Sequence, residues 1–262
     1  MRFLKYVLVT FCFLATLGCY EVNEEIAINE NGSGVFNTKM DMSQLIELMQ
    51  TFAGEEKMSE EGLDRVIDTV VNFKTLIDSA KEMTAEQKEL MKDGKMHMQL
   101  NVKEKLFKMD LNIPYKNFAS LQKLLSGGGV TGNVMSEMMK GVFGKNKDNN
   151  ADSSAEPQMF GGGMDDLTGF YDVTVNKNVI SKKVNAEKFK ALTEKPEMAQ
   201  IKQMSGSGME ILYTTTIRLP RPVKNSDNAL FKLSDDKKTI TMKYNMLEML
   251  ETPEKFSYTI EY

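Results

Sequence analysis

The chain's one histidine, His97, stands between Met96 and Met98, and the chain carries 21 methionines among its 262 residues. Imidazole and thioether groups are suitable ligands for copper(I), so this spacing could form a soft-metal site. The surrounding residues alternate between apolar and polar, however, as in a β-strand whose successive side chains point to opposite faces. We therefore expect both methionines in the core and His97 in solvent, and we predict neither a metal site nor a cofactor.

Other patterns that resemble catalytic or nucleotide-binding motifs have simpler explanations. The GxGxxG spacing of Gly127 to Gly132 follows a predicted helix rather than a strand, so its amides would not be aimed at a pyrophosphate. The acidic pairs Asp165-Asp166 and Asp235-Asp236 read as turn or loop residues. With one histidine on a wet strand face, a Ser-His-Asp or Cys-His arrangement is hard to assemble. We predict no catalytic residues and no enzyme activity, and a carboxylate-based hydrolase is the last alternative.

The N-terminus has the layout of a secretory signal. Arg2 and Lys5 form a basic start, residues 6–17 are uncharged and largely apolar, and Gly18 ends the run. A run of this length is short for a membrane-spanning helix. A buried N-terminal core segment is the alternative. We predict a signal peptide over residues 1–18.

The sequence Thr16-Leu-Gly-Cys19 resembles the lipobox of bacterial lipoproteins, with Thr16 where an aliphatic residue is usual. The resemblance implies cleavage after Gly18, an S-diacylglycerol on Cys19 and N-acylation, typically by palmitate, of the new amine. Two or three acyl chains make a lasting membrane anchor. The only other cysteine, Cys12, would leave with the signal, so the mature chain would have no free thiol.

Acidic residues follow the cysteine at Glu21, Glu24 and Glu25. Their composition predicts a solvated tether over residues 19–25. They are also similar to the short acidic stretch that exports lipoproteins of Bacteroidota to the cell surface. Tyr20 is not the aspartate that retains lipoproteins in the inner membrane of enteric bacteria. We predict an outer-membrane location, with the periplasmic and surface faces both open.

The remaining sequence predicts α+β architecture, with an antiparallel sheet built from β-hairpins, each followed by a short helix on one face of the sheet. An Asx residue would cap each helix where the hairpin ends. These residues are Asp41, Asn112, Asn185 and Asn245. Their spacing is loosely regular, as an internal duplication would produce, although hairpins and caps are common without one.

Helical periodicity predicts one helix from Ser43, a longer one from Ser59 to Lys81, and another from Thr84, where a capping box begins. The segment 126–164, rich in Gly, Ser and Asn, is predicted to be a flexible insertion or linker. It separates a first α+β part, 26–125, from a second, 165–262. The two parts form either two domains or one continuous domain.

Charge and motif content narrow the functional classes. The net charge of −4 without a free basic cluster argues against nucleic-acid binding. The lipobox, the segment from Ile28 to Ser43 and the tail from Thr216 to Tyr244 resemble a loose set of Bacteroidota envelope lipoproteins and, more remotely, the LppM-like lipoproteins of actinobacteria. The resemblance implies an α+β envelope lipoprotein and assigns no site residues.

From these observations we predict a lipid-anchored envelope protein with a non-enzymatic binding role, whose partner is a protein, a lipid or a glycan. A structural or assembly role in an envelope complex is the alternative.

Overall fold

The structure is a computed structural model that describes residues 19–44, 46–47, 50, 66–77, 83–126, 168–195, 198 and 210–262. The predicted signal peptide, the GxGxxG spacing and the 126–164 insertion beyond Ser126 lie outside these residues. Within them the chain is α+β, as predicted, with antiparallel-rich sheets and a few short helices.

The described strands are numbered in chain order. They are β1 (Cys19–Ile28), β2 (Gly34–Asp41), β3 (Val66–Asn72), β4 (Lys95–Asn101), β5 (Leu106–Tyr115), β6 (Tyr171–Val175), β7 (Val179–Val184), β8 (Glu210–Arg218), β9 (Asn225–Ser226), β10 (Lys232–Leu233), β11 (Thr239–Asn245) and β12 (Tyr258–Glu261). The described helices are α1 (Phe73–Ile77), α2 (Ala85–Met91), α3 (Phe118–Leu125), α4 (Ala186–Thr193), α5 (Met246–Glu251) and a 3₁₀ helix (Pro253–Phe256). Residues 43–44, 46–47 and 50 are also helical, where a helix from Ser43 was predicted.

Eight strands form the larger sheet in the order β10-β11-β8-β1-β2-β5-β4-β3. Its neighbours are antiparallel except β1 and β8, which run parallel. Strands β8, β10 and β11 come from the second predicted part of the chain, and β1 to β5 come from the first. The two parts therefore share one sheet across the β1–β8 pair.

The residues expected to form a tether are instead part of the sheet. Strand β1 begins at Cys19, which is paired with Glu210 of β8, and Glu21 is paired with Asp41 of β2. Alternation explains the difference, because Tyr20, Val22 and Ile26 occupy one face of β1 and are buried. The acidic residues are interleaved with a core-facing set, so this stretch folds into a strand near the middle of the sheet.

Four strands form the smaller sheet in the order β6-β7-β12-β9. Its inward face packs towards the inward face of the larger sheet, and one continuous apolar core joins the two sheets and the helices. Helix α3 lies along β6, where the Gln122 side chain accepts a hydrogen bond of 3.1 Å from the backbone N–H of Val175.

Side-chain caps are present in four of the five predicted places. Asp41 accepts a 3.1 Å hydrogen bond from the backbone N–H of Ser43, where the first helical residues begin. Thr84 forms the expected capping box with Gln87, and the side chains of Asn185 and Asn245 cap α4 and α5. The prediction for Asn112 was wrong. It lies within β5 and donates to Asn37 at 2.6 Å, because the strand continues to Tyr115 and Asn117 caps α3.

The long helix predicted from Ser59 to Lys81 was wrong over residues 66–72 and is confirmed over residues 73–77. Residues Val66–Asn72 form β3, and helix begins only at Phe73. The apolar spacing there fits a helix, but β-branched residues dominate, and such side chains favour a pleated strand. Pairing with β4 supplied the partner that local periodicity could not predict.

A tight contact fixes the start of β2. A Cβ on Gly34 would lie 1.9 Å from the carbonyl oxygen of Ala27 and 2.3 Å from the hydroxyl of Tyr115. The same hydroxyl donates a 2.7 Å hydrogen bond to that carbonyl. Only a residue without a side chain leaves room for this bond between β1 and β5, which lie on either side of β2.

Candidate functional site between the two sheets

A carboxylate lies on the inward face of the larger sheet. Glu24 occupies the same face of β1 as Val22 and Ile26, between Thr38 on β2 and Thr215 on β8. Apart from tyrosines, the two threonines are the only buried polar side chains among the described residues, at 8% and 6% exposure. Three neighbouring strands therefore carry a polar row, Thr215-Glu24-Thr38, across an otherwise apolar surface.

An amine from the smaller sheet faces this row. Lys182 lies on the inward face of β7, between Val173 of β6 and Tyr258 of β12. Its Nζ atom stands 4.3 Å from the centroid of the Tyr171 ring, within the range of a cation–π interaction. The smaller sheet thus places a basic group, supported by an aromatic face, opposite the carboxylate of the larger sheet.

Burial shifts the pKa values of the two groups in opposite directions. Desolvation raises the pKa of Glu24, whereas the charge of Lys182 and a hydrogen bond from Thr215 act to lower it. Desolvation lowers the pKa of Lys182, and the charge of Glu24 opposes that shift. Both side chains are only half-buried by surface area, so protein atoms surround them closely while some solvent contact persists.

The acid and the base interact without forming an ion pair. Within the described part of the chain, no nitrogen–oxygen contact of ion-pair length joins Lys182 to Glu24, although each affects the other's pKa. Burying two charges costs several kcal/mol per ion unless close contacts compensate. Here both charges are held near each other and neither neutralises the other by contact.

Tyrosines from both sheets surround the pair. Burial is the main cause that raises the pKa of Tyr244 on β11 and of Tyr258 on β12, and the nearby Glu24 carboxylate adds to it. Burial likewise raises the pKa of Tyr171, whose hydroxyl donates a 3.1 Å hydrogen bond to the carbonyl of Pro253. Tyr213 stacks on Tyr244 with their centroids 5.4 Å apart. The site combines aromatic faces, hydroxyls and two opposite charges, as small-molecule sites often do.

The residues predicted to act as an export signal separate onto the two faces of the sheet. Glu21 and Glu25 lie on the outer face, where Glu25 accepts a 2.6 Å contact from Nε of Arg218. Glu24 alone points inward. Cys19, the predicted lipid attachment residue, is the first residue of β1, and Gly18 lies outside the described residues.

The histidine and its neighbours are arranged as the alternation predicted. Met96 and Met98 are buried in the core, while His97 lies on the opposite, outer face, with Nε2 2.6 Å from the Asp68 carboxylate. That hydrogen bond is the largest cause that lowers the pKa of Asp68. Over the described ranges, no group of three or more His, Cys, Asp or Glu side chains is placed to hold a metal ion.

Sequence reasoning missed Lys182 and the tyrosines as site residues. The sequence did offer one signal: a charged residue at a strand position whose neighbours two residues away are apolar, as in Ile180-Ser-Lys182-Lys-Val184 and Val22-Asn-Glu24-Glu-Ile26.

None of the helices described is long and apolar enough to cross a membrane. No protein-family model, curated protein or solved structure matches this chain.

Proposed function

We propose that this chain is a lipid-anchored protein of the bacterial cell envelope that binds a small molecule between its two sheets, without catalysis. The observation that carries the proposal is the juxtaposition of Glu24 and Lys182, which lie on the inward faces of the two sheets near several tyrosines and form no ion pair with each other. The lipobox supports the anchor, and the outer membrane is the address that we propose.

The alternative is a structural role in which the two charges only fix how the sheets dock. A docking pair gains most when its charges touch, because the Coulomb energy and the hydrogen bonds then offset desolvation. Separated charges with residual solvent contact stabilise the docked sheets less. The separation therefore favours a binding role.

Co-purification tests the binding role. We expect a small molecule to remain with the full-length protein purified in a mild detergent, and to be absent from the Glu24→Gln/Lys182→Gln variant, as measured by mass spectrometry of the denatured sample. Both changes remove a charge; Gln has the shape of Glu and is shorter than Lys. Glu25→Gln/Lys183→Gln is the matched control, since these neighbours on the same strands make surface ion pairs with Arg218 and Asp227.

Identical small-molecule profiles for the wild type and the Glu24/Lys182 variant would contradict the binding role. The docking alternative predicts that result, together with a change in stability that the surface control does not share.

Metabolic labelling tests the anchor. Cells grown with a fatty-acid analogue should label the wild-type chain, and Cys19→Ser should abolish the label and release the protein into the soluble fraction. Ser33→Ala, in the β1–β2 turn, should keep the label. A Cys19→Ser protein that is still labelled would exclude attachment at this cysteine.

A further inference from the structure

Strand β3 is the long open edge of the described sheets. Of the other edge strands, β9 and β10 have two residues each, and α3 lies along β6. Strand β3 has seven residues, pairs with β4 on one side and has no described strand on the other. Long edge strands usually carry lysine or proline residues that block further pairing, and β3 contains neither. Its open side can therefore accept another strand.

The backbone of β3 presents hydrogen-bonding groups on this open side. The N–H of Phe73 donates a 3.0 Å hydrogen bond to the carbonyl of Gly94, which continues the pairing of β3 with β4. Successive residues of a strand direct their backbone groups to opposite sides, so the even-numbered residues of 66–72 direct theirs away from β4. Among these groups, the carbonyl of Asn72 has a described partner, the Thr75 hydroxyl at 2.7 Å.

The side chains of β3 suit a partner strand that is nearly uncharged. Val66 and Val70 are 69% and 59% exposed, more than any other large apolar side chain among the described residues. Ile67 and Val71 pack against the core from the inward face. Asp68 is the one charged residue of the strand, and its carboxylate is already hydrogen-bonded to two side chains of β4. Since β-branched pairs across strands stabilise a sheet, a strand of the same kind fits this edge.

We infer that β3 pairs antiparallel with β3 of a second copy of this chain, around a two-fold axis at Thr69. Thr69 is the midpoint of the strand, so this register overlaps all of residues 66–72. It also brings the outward backbone groups of one copy opposite those of the other, as an isologous contact requires. The two larger sheets would then form one continuous sheet.

The register also matches the side chains. On the inward face it places Ile67 opposite Val71 of the second copy, which extends the apolar core across the joint. On the outer face it places Asp68 opposite Val70 of the second copy, so the two carboxylates are not directly opposed.

The sequence immediately before β3 is a poorer match for this edge than a second copy. Residues 51–65, which lie outside the described ones, are rich in glutamate and have Thr51 as their one β-branched residue. Glutamate is depleted in strands, and β-branched residues are enriched there. We therefore favour a second copy as the occupant.

The dimer is compatible with two lipid anchors in one membrane. Antiparallel pairing by itself would place the two Cys19 residues at opposite ends of the joined sheet. Four steps between neighbouring strands lead from β1 to β3 in each copy, and one more joins the copies. At about 20° of twist per step, the strands turn by about 180° in all, which brings both Cys19 residues back to the same end.

Sedimentation equilibrium of the full-length protein in a density-matched non-ionic detergent tests the inference. The protein mass should rise from one chain towards two as the concentration increases from about 10 μM to about 1 mM, since a small interface gives a weak dimer.

Cysteine cross-linking tests the register. Residues directly opposite each other without mutual hydrogen bonds have Cα atoms about 4.5 Å apart, within the range for a disulfide. Thr69→Cys should therefore give a disulfide-linked dimer under mild oxidation. Val71→Cys, on the same face of β3, is the matched control. Its two copies would be about 13 Å apart along the strands and should not be linked.

Charges at Val70 distinguish this pairing from a loose apolar contact. Val70→Glu would place a carboxylate opposite Asp68 of the second copy, and it should weaken the dimer about tenfold. Val70→Lys would place an amine there and should leave the dimer at least as stable. Leu233→Glu changes the exposed apolar residue on β10 and should have no effect.

A single-chain mass at the highest concentration would overturn the inference and leave a segment of this chain, or a different protein, as the occupant of the edge. Equal weakening by Val70→Glu and Val70→Lys would overturn it too. Cross-linking of Val71→Cys as fast as Thr69→Cys would exclude the two-fold axis at Thr69 and with it the proposed pairing.

Discussion

Gly34→Ala is expected to destabilise the protein by about 3 kcal/mol or more, the upper part of the range for overpacked sites. The new methyl group would overlap the backbone carbonyl of Ala27, and a backbone atom inside a sheet cannot move aside as a side chain can. Urea denaturation followed by circular dichroism measures the change, provided the slope of the transition is unaltered.

Two further variants make this prediction specific. Val35→Ala changes the next residue, whose side chain is half-buried on the outer face, and should cost about 1 kcal/mol or less. Adding Tyr115→Phe to Gly34→Ala removes only the contact with the hydroxyl, so most of the loss should remain. A Gly34→Ala protein as stable as the wild type would mean that β1 and β2 do not approach as closely as the structure has them.

A double-mutant cycle on Glu24 and Lys182 is expected to give the second largest effect. Removing one charge leaves the other desolvated and without a nearby opposite charge. Lys182→Met alone should therefore lower the free energy of unfolding by about 1–3 kcal/mol at neutral pH. This is less than for a fully enclosed pair because both groups keep some solvent contact. Glu24→Gln/Lys182→Met should recover most of that loss, since no unneutralised charge remains.

The pH dependence follows from the directions of the two pKa shifts. Burial raises the pKa of Glu24 above its ordinary 4.5, so the stability it contributes below that pH is lost as the pH rises through the raised value. Burial lowers the pKa of Lys182 below its ordinary 10.5, so the stability it contributes above that pH is lost as the pH falls through the lowered value. The folded wild type should be least stable between these two pKa values. The stability of the double variant should change less with pH.

Urea titrations of the four proteins at several pH values between these limits measure the cycle. The control is the same cycle on Glu25 and Arg218, an ion pair on the outer face that should couple by less than about 1 kcal/mol. Equal coupling energies for the two cycles would show that the charges between the sheets are no more desolvated than a surface pair.

Local patterns predicted many of the elements correctly. The alternation from Met96 to Val102, the Thr84 capping box and the Asx residues at Asn185 and Asn245 each depend on neighbours a few residues away. The errors occur where a distant partner decides the outcome. Residues Val66–Asn72 form a strand because they pair with β4. Asn112 lies within a strand because β5 extends beyond the predicted end of its hairpin.

Predicting the site would have required knowing contacts between residues still farther apart in the chain. Glu24 could have been assigned to the inward face by extending the alternation of Ile26 and Ile28 back to Tyr20. No local pattern could bring it opposite Lys182, because that requires the parallel pairing of β1 with β8 and the docking of a second sheet. Interactions across 158 residues of chain are set by the tertiary fold alone.

The position of Cys19 has a mechanical consequence. If the lipid is attached there, tension between membrane and protein enters β1 at its first residue, with no slack chain between them. Strands β2 and β8 hold β1 from both sides, and their hydrogen bonds run nearly across the direction of pull. Under such a load many inter-strand hydrogen bonds must break at the same time rather than one after another. An anchor at this residue should therefore resist force well.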